Sequence, residues 1–394
     1  MPIENNNDPF FALKGEDSEW NACIGKQAHP ESYMDGYMEA ALELVNAVIG
    51  QRQHIKRDTL AMPILYNARH ALELSLKYMH DAFLKEEIIK TAHDKNHDIH
   101  SYWALLSSAR LGDTELAEHI KRLQVYVVSL SNIDDDGQEL RYATTRDGQI
   151  SLRDKALCNL AVIRASLLKL QEIIYAAKYR LEVFIDERRT KTYTSDLSRK
   201  DLETIAKMLP PFDRWNEDIF DKAKKEIKTT YGIGSKQFSD AVNLIKRHRT
   251  MASRLGREFD LLHLTDNKLK LVVQEWKALH SPKYSDHLGT DFMNVDFDAM
   301  VEHANKVNEA QENILRFLSE DEIADLETLF YTGREGDFCE FYENRLTLVK
   351  MEHKINQNLA EEVRHLIEKN NFMEEIAKGL TILGRPTLAK ELLL

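Results

Sequence analysis

The chain has 394 residues, 43% of them hydrophobic and 30% charged, with only 15 Gly and 8 Pro, and its formal charge is −12. That length exceeds one ordinary core, that composition gives disorder little room, and that charge excludes wholesale wrapping of nucleic acid or of an anionic membrane. Cys23, Cys158 and Cys339 stand far apart and in no metal-ligand spacing, which reads as free thiols in a reducing compartment with no metal and no cofactor. The first residues carry no basic-then-apolar leader, and no run of about 18 apolar residues occurs, so the expectation is a cytoplasmic protein with no membrane partner.

Residues 1–31, with Asn5-Asn6-Asn7 and three prolines, read as an N-terminal arm. Helical patterning begins near Ser32. Met38, Ala41, Leu42, Val45 and Val48 step by three and four through a helix over 34–53, and Leu65, Ala68, Leu72, Leu76, Met79 and Phe83 do so through a longer one over 58–85. Asp98 or Ser101 caps a short helix through Trp103, and another helix is expected over 115–130. Residues 132–149, with four Asp and two Gly, read as a loop with room for a short hairpin. One long helix over 152–186 closes the first domain, and 187–197 reads as a linker.

In the second half, residues 198–394, helices are expected over 198–209, 216–229, 235–255, 257–263, 268–279, 296–318, 321–330, 335–370 and 373–382, with a C-terminal subdomain from about 316. Pro210-Pro211 stops the first of these, Gly232-Ile233-Gly234 separates the next two, and Gly333 is placed to terminate the helix that Ser319 and Glu322 cap. The fold class is therefore all-α: a multi-helix bundle followed by a second helical domain.

Tyr66, His70, Glu73 and Lys77, spaced four, three and four, form one polar stripe on the second helix, displaced from its leucine face. A histidine near a carboxylate suits proton transfer and a neighbouring lysine suits a phosphate, while the same stripe serves equally as a salt-bridged face. His97, His100 and Trp103, with Asp134, Arg141 and Tyr142, read as a structural network around it. His93, His97 and His100 lack the further ligands that zinc requires, and Asp134-Asp135-Asp136 lacks EF-hand spacing.

Asn67-Ala-Arg-His-Ala-Leu-Glu-Leu-Ser-Leu-Lys77, then His97-Asp-Ile-His-Ser-Tyr-Trp103, then Asp134 to Tyr142, resembles the pattern of bacterial HEPN-like helical domains over residues 35–180. The resemblance implies a helical bundle for residues 32–186. It also implies a place among the toxins, RNA-cleaving antiviral defence nucleases and inactive interaction modules of that family, and a homo-oligomer or a partner protein. Active members carry Arg, four to six residues, then His late in the domain. No such pair lies in 35–180; Arg257 and His263 have that spacing but fall in the second half.

Between Asp221 and Glu258 ten Lys/Arg stand against four Asp/Glu, and Lys246, Arg247 and Arg249 make the helix after the Gly-Ile-Gly turn a candidate nucleic-acid reader. Residues 318–345 hold nine acids against two arginines, which suits docking on that basic segment. The stretch from Leu318 to Gly384 also resembles a small bacterial helical family of uncharacterised function. No phosphate loop, dinucleotide fingerprint or hydrolase elbow is present. Three functions remain in view. The first is a HEPN-like interaction, sensor or effector subunit of a prokaryotic stress or phage-defence system. The second is a metal-independent ribonuclease using Arg69, His70, Glu73, Lys77, Arg257 and His263, with RNA as partner, and the third is a nucleic-acid-binding regulator through residues 235–257.

Overall fold

Apolar residues stepping by three and four almost throughout leave little for strands to use, and the chain is all-α. The computed structural model describes residues 10–11, 17–27, 29–94, 96–145, 147–280 and 297–394. Among the described residues the only β-pairing is one isolated bridge between Thr144 and Ile150, so the hairpin expected within 132–149 shrinks to a single rung. Among the described residues no helix is long and apolar enough to cross a membrane. The chain divides into two units, one of residues 1–111 and 115–185, the other of residues 112–114 and 186–394.

The first unit is built from α1 (Pro30–Gly50), α2 (His54–Lys85), α3 (Ile99–Ser108), α4 (Thr114–Arg122), α5 (Gln124–Ser131) and α6 (Leu160–Arg189), with the ends of α4 and α6 crossing into the second unit. A three-residue turn folds α2 back along α1, and Met38, Val45, Leu72, Leu76 and Phe83 join Leu106, Leu170, Ile174 and Leu181 in one core. Several helix boundaries differ from expectation. Helix α1 begins inside the expected arm, at Pro30, where proline suits the first helical position. Pro63 lies within α2, and the helix continues through it. The expected 115–130 helix breaks at Leu123. Helix α6 starts at Leu160 because the Asn159 side chain accepts from Ala161 and Val162 N–H (2.9 and 3.2 Å), and it runs into the expected linker as far as Arg189.

The second unit contains α7 (Arg199–Met208), α8 (Asp218–Tyr231), α9 (Ser235–Arg247), α10 (Arg249–Arg254), α11 (Asp266–Leu279), α12 (Phe297–Phe317), α13 (Glu320–Glu335), α14 (Tyr342–Asn356), α15 (Leu359–Ile367), α16 (Phe372–Ile382) and α17 (Pro386–Leu393). The expected 257–263 helix is absent: that segment runs without helix from Gly256 (φ 89°) to Thr265. The expected 335–370 helix is split. Gly336 ends α13 in the left-handed region, and Gln357 and Asn358 separate α14 from α15.

Gly333 does a different job from the terminator expected of it. It sits inside α13, where an added Cβ would lie 1.9 Å from the Glu375 carbonyl oxygen of α16, while a Cβ at Gly379 would lie 2.3 Å from the Leu329 carbonyl oxygen. The two glycines let α13 and α16 pack backbone against backbone, beside a core of Phe330, Phe372, Ile376 and Leu380.

Candidate functional site

The polar stripe of α2 converges on one buried carboxylate. Glu73 Oε2 accepts from Arg69 Nη1 at 3.0 Å, and Oε1 accepts from Lys77 Nζ at 2.6 Å and from His97 Nδ1 at 2.8 Å; His70 Nδ1 lies 3.9 Å from Oε2. Arg69 and Lys77 reach it because each is four residues away on the same helix. Burial alone would raise the pKa of Glu73. The imidazole of His70 beside it and hydrogen bonds from Lys77 and His97 outweigh that effect and hold the carboxyl well below the ordinary carboxylate range. It is an anion at neutral pH and has no proton to give.

Arg69 is only 1% exposed, and three of its other N–H groups donate to the carbonyls of Asp134 (2.7 Å), Asp135 (2.9 Å) and His97 (2.7 Å). It therefore ties the loop after α5 and the loop before α3 to the centre of α2. The first loop is pre-shaped. Asp134 Oδ1 accepts from Gln138 and Glu139 N–H, and Oδ2 accepts from Leu140 N–H. Gly137 takes φ 80°, and a Cβ there would sit 3.2 Å from Arg69 Nη1. Those bonds occupy Asp134, so the grouped carboxylates of Asp134, Asp135 and Asp136 are a turn, not an ion cage. Arg141 donates to the Gly137 carbonyl and lies 5.8 Å from the Tyr66 ring and 5.4 Å from that of Tyr142, which ties this loop to the stripe.

The outward-facing members are His97, 61% exposed, with Lys77 and His70 half-buried. The carboxylate fixes the proton of His97 on Nδ1 and leaves Nε2 without a partner among the described residues, the tautomer of an oriented acid–base histidine. His70 is wedged between Tyr37 and Tyr66, with ring centroids 4.4 and 5.8 Å away. Beside them His93 stacks on Tyr102 at 3.6 Å, His100 lies against Trp103, and Trp103 Nε1 donates to the Ile120 carbonyl.

The other expected site residues do not join this cluster. Arg257 lies over the Phe259 ring at 4.9 Å. His263 donates its backbone N–H to Asp325, and its Nε2 faces Lys350 Nζ at 2.8 Å, so that lone pair is taken. The Arg257–His263 spacing falls on non-helical backbone and gives no shared helix face. In the basic segment Lys246 Nζ lies 4.6 Å from the Trp215 ring, and Arg249 donates to the Asp260 carbonyl (2.9 Å) and stacks on Tyr342 (5.1 Å). Arg247 alone of the three is exposed and without a described partner.

A second carboxylate, the half-buried Glu340, is not legible in the sequence. Arg199 Nε donates to Oε1 at 2.8 Å and Nη2 to Oε2 at 3.2 Å; His248 Nε2 lies 2.9 Å from Oε1, and Cys339 Sγ lies 3.5 Å from that nitrogen and 3.3 Å from Oε2. Burial would raise the pKa of Glu340, but His248 and Arg199 outweigh it and hold the carboxyl low. His248, Cys339 and Glu340 bring a nitrogen, a sulfur and an oxygen within reach of one ion. The proton positions oppose that use. The Met251 N–H donates to His248 Nδ1 at 3.2 Å, so this nitrogen keeps its lone pair and Nε2 carries the proton. Burial lowers the proton affinity of His248 while Cys339 and Glu340 raise it, for a net upward pull. With Arg199 already balancing Glu340 and both ring nitrogens of His248 engaged, the cluster is a closed clasp.

Comparison of the chain with protein-family models, with curated proteins and with solved structures finds no match.

Proposed function

We propose that the chain is an interaction subunit, a HEPN-like sensor or effector component of a prokaryotic stress or defence system, rather than a nuclease. The observation that carries this reading is the complete burial of Arg69. This arginine, one position before His70 of the stripe, spends four of its five N–H groups on Glu73 and on three backbone carbonyls, where it braces two loops and is closed to a phosphate. Placement in a defence system rests on the sequence resemblance alone. A regulator reading through residues 235–257 has less behind it, because Lys246 and Arg249 are engaged within the chain.

A metal-independent ribonuclease is the second reading, and His97 is what favours it: a buried anion orients the ring, Nε2 faces outward, and Lys77 stands beside the same carboxylate oxygen. One experiment separates the two. Purified protein is incubated with total RNA and with tRNA in EDTA, and His97→Ala is run in parallel. The interaction reading expects intact RNA. Cleavage that disappears in His97→Ala with unchanged thermal unfolding overturns it in favour of the ribonuclease.

A further inference from the structure

Away from Glu73, the first unit holds an open cavity of about 1230 Å³ beside the turn between α1 and α2. Its floor is aliphatic: Val48 and Ile49 of α1, Ala61, Met62 and Leu65 of α2, and Leu160 of α6. Its rim is basic. Arg57 is paired with Asp58 at 2.9 Å, whereas Arg52 and Lys155 are exposed and have no ion pair among the described residues. This rim is local, since the unit as a whole carries 21 Lys/Arg against 26 Asp/Glu.

Three observations narrow the occupant. No Phe, Tyr or Trp lines the cavity and His54 supplies its only ring, so successive nucleobases would find no stacking platform. Its aliphatic surface continues outside. Beside Leu157, a lining residue that is 96% exposed, Ile55 is 91% exposed, and the exposed Val125 and Val128 of α5 share a helix face with Ser129 and Asn132, which line the cavity. Together these exceed what a site of about 300–1,000 Å³ for a small molecule uses. Finally, Arg52 and Leu152 hold left-handed backbone (φ 51° and 54°) at the cavity wall, a cost that side chains normally avoid.

We propose that this groove docks an acidic amphipathic helix of a partner protein. Aliphatic side chains one and two turns apart seat on the floor, and flanking Glu or Asp face Arg52 and Lys155. The inference stands on residues separate from the Glu73 cluster and holds whether that cluster is inert or catalytic.

The test is a selection on the full-length protein from a displayed library of helical peptides about 18 residues long, with an aliphatic stripe and flanks free to be Glu, Gln or Lys. A fluorescein-labelled consensus peptide then serves as probe in anisotropy titrations. The expected result is enrichment of Glu in the flanks and loss of affinity by about tenfold or more in Arg52→Glu/Lys155→Glu and in Leu157→Asp, with His97→Ala unchanged. All substituted groove positions are exposed, and circular dichroism checks that each variant keeps its fold. Failure to select a binder, Lys-rich flanks, or binding that ignores these substitutions overturns the proposal. So does binding to phosphatidylglycerol vesicles without peptide binding, which makes the groove a membrane contact. Self-association abolished by Leu157→Asp in sedimentation also overturns it, because the occupant is then a second copy.

Discussion

Two glutamates, Glu73 and Glu340, each gather an arginine and a histidine around a carboxylate held below its usual pKa, one in each unit. They differ in what the histidine can still reach. At Glu340 both ring nitrogens of His248 are occupied, the thiol is buried, and Arg199 is only 11% exposed. At Glu73 the inner half, Arg69, is equally closed, but His97 projects outward. A buried carboxylate by itself therefore says little about chemistry; the solvent-facing side of its partner histidine decides whether it is a brace or a site.

The largest effect that this comparison predicts is for Glu73→Ala. Removing the anion leaves Arg69 buried with only carbonyl partners, and breaking such a pair costs about 3–5 kcal/mol. Urea unfolding followed by tryptophan fluorescence checks it, because Trp20 and Trp103 belong to the first unit while Trp215 and Trp276 report on the second. A loss under about 1 kcal/mol would mean that Arg69 is held by the carbonyls alone.

Glu340→Ala should cost less, about 2–3 kcal/mol, because Arg199 keeps its contact with the Phe338 ring at 4.5 Å and is less deeply buried. The pH dependence sharpens the pairing. Both carboxyls titrate lower in the folded state than in the unfolded chain, so the stability each supplies is complete above about pH 4.3 and drains away as pH falls below it. Each alanine variant should therefore have a flatter acid limb than the wild-type chain, in the transition of its own unit. An unaltered acid limb in either variant would show that the carboxylate there is not held low.

How far each cluster could be read from the sequence follows the same division. Tyr66, His70, Glu73 and Lys77 lie on one helix, and a four-three-four spacing reveals their shared face directly. What that spacing does not carry is depth. Arg69 and Glu73 had been grouped with catalytic candidates and are buried, while His97, grouped with the structural network, is the exposed member; the difference depends on where two loops return. Glu340 draws its partners from residues 199, 248 and 339, which only the folded second unit brings together. The opposite charges of residues 221–258 and 318–345 hinted at contact, and His248 with Glu340 is one such contact, but net charge cannot select the pair. The helical class was legible because periodicity repeats over many turns. Helix ends were less so, because Asn159, Gly336 and Gln357 act through cap geometry at single positions.

The smallest expected effect belongs to His97→Ala, and it is the most discriminating. The ring is 61% exposed, and its one hydrogen bond goes to a carboxylate that keeps Arg69 and Lys77. Solvent screening should limit the stability loss to about 0.5 kcal/mol or less. A loss as large as that of Glu73→Ala would make His97 part of the brace, and the two clusters would then be equivalent in kind. A negligible loss leaves an oriented imidazole that the fold does not need. On the interaction reading its removal spares RNA and leaves partner affinity unchanged, whereas on the ribonuclease reading it removes cleavage, because Glu73 stays ionised and has no proton with which to replace it.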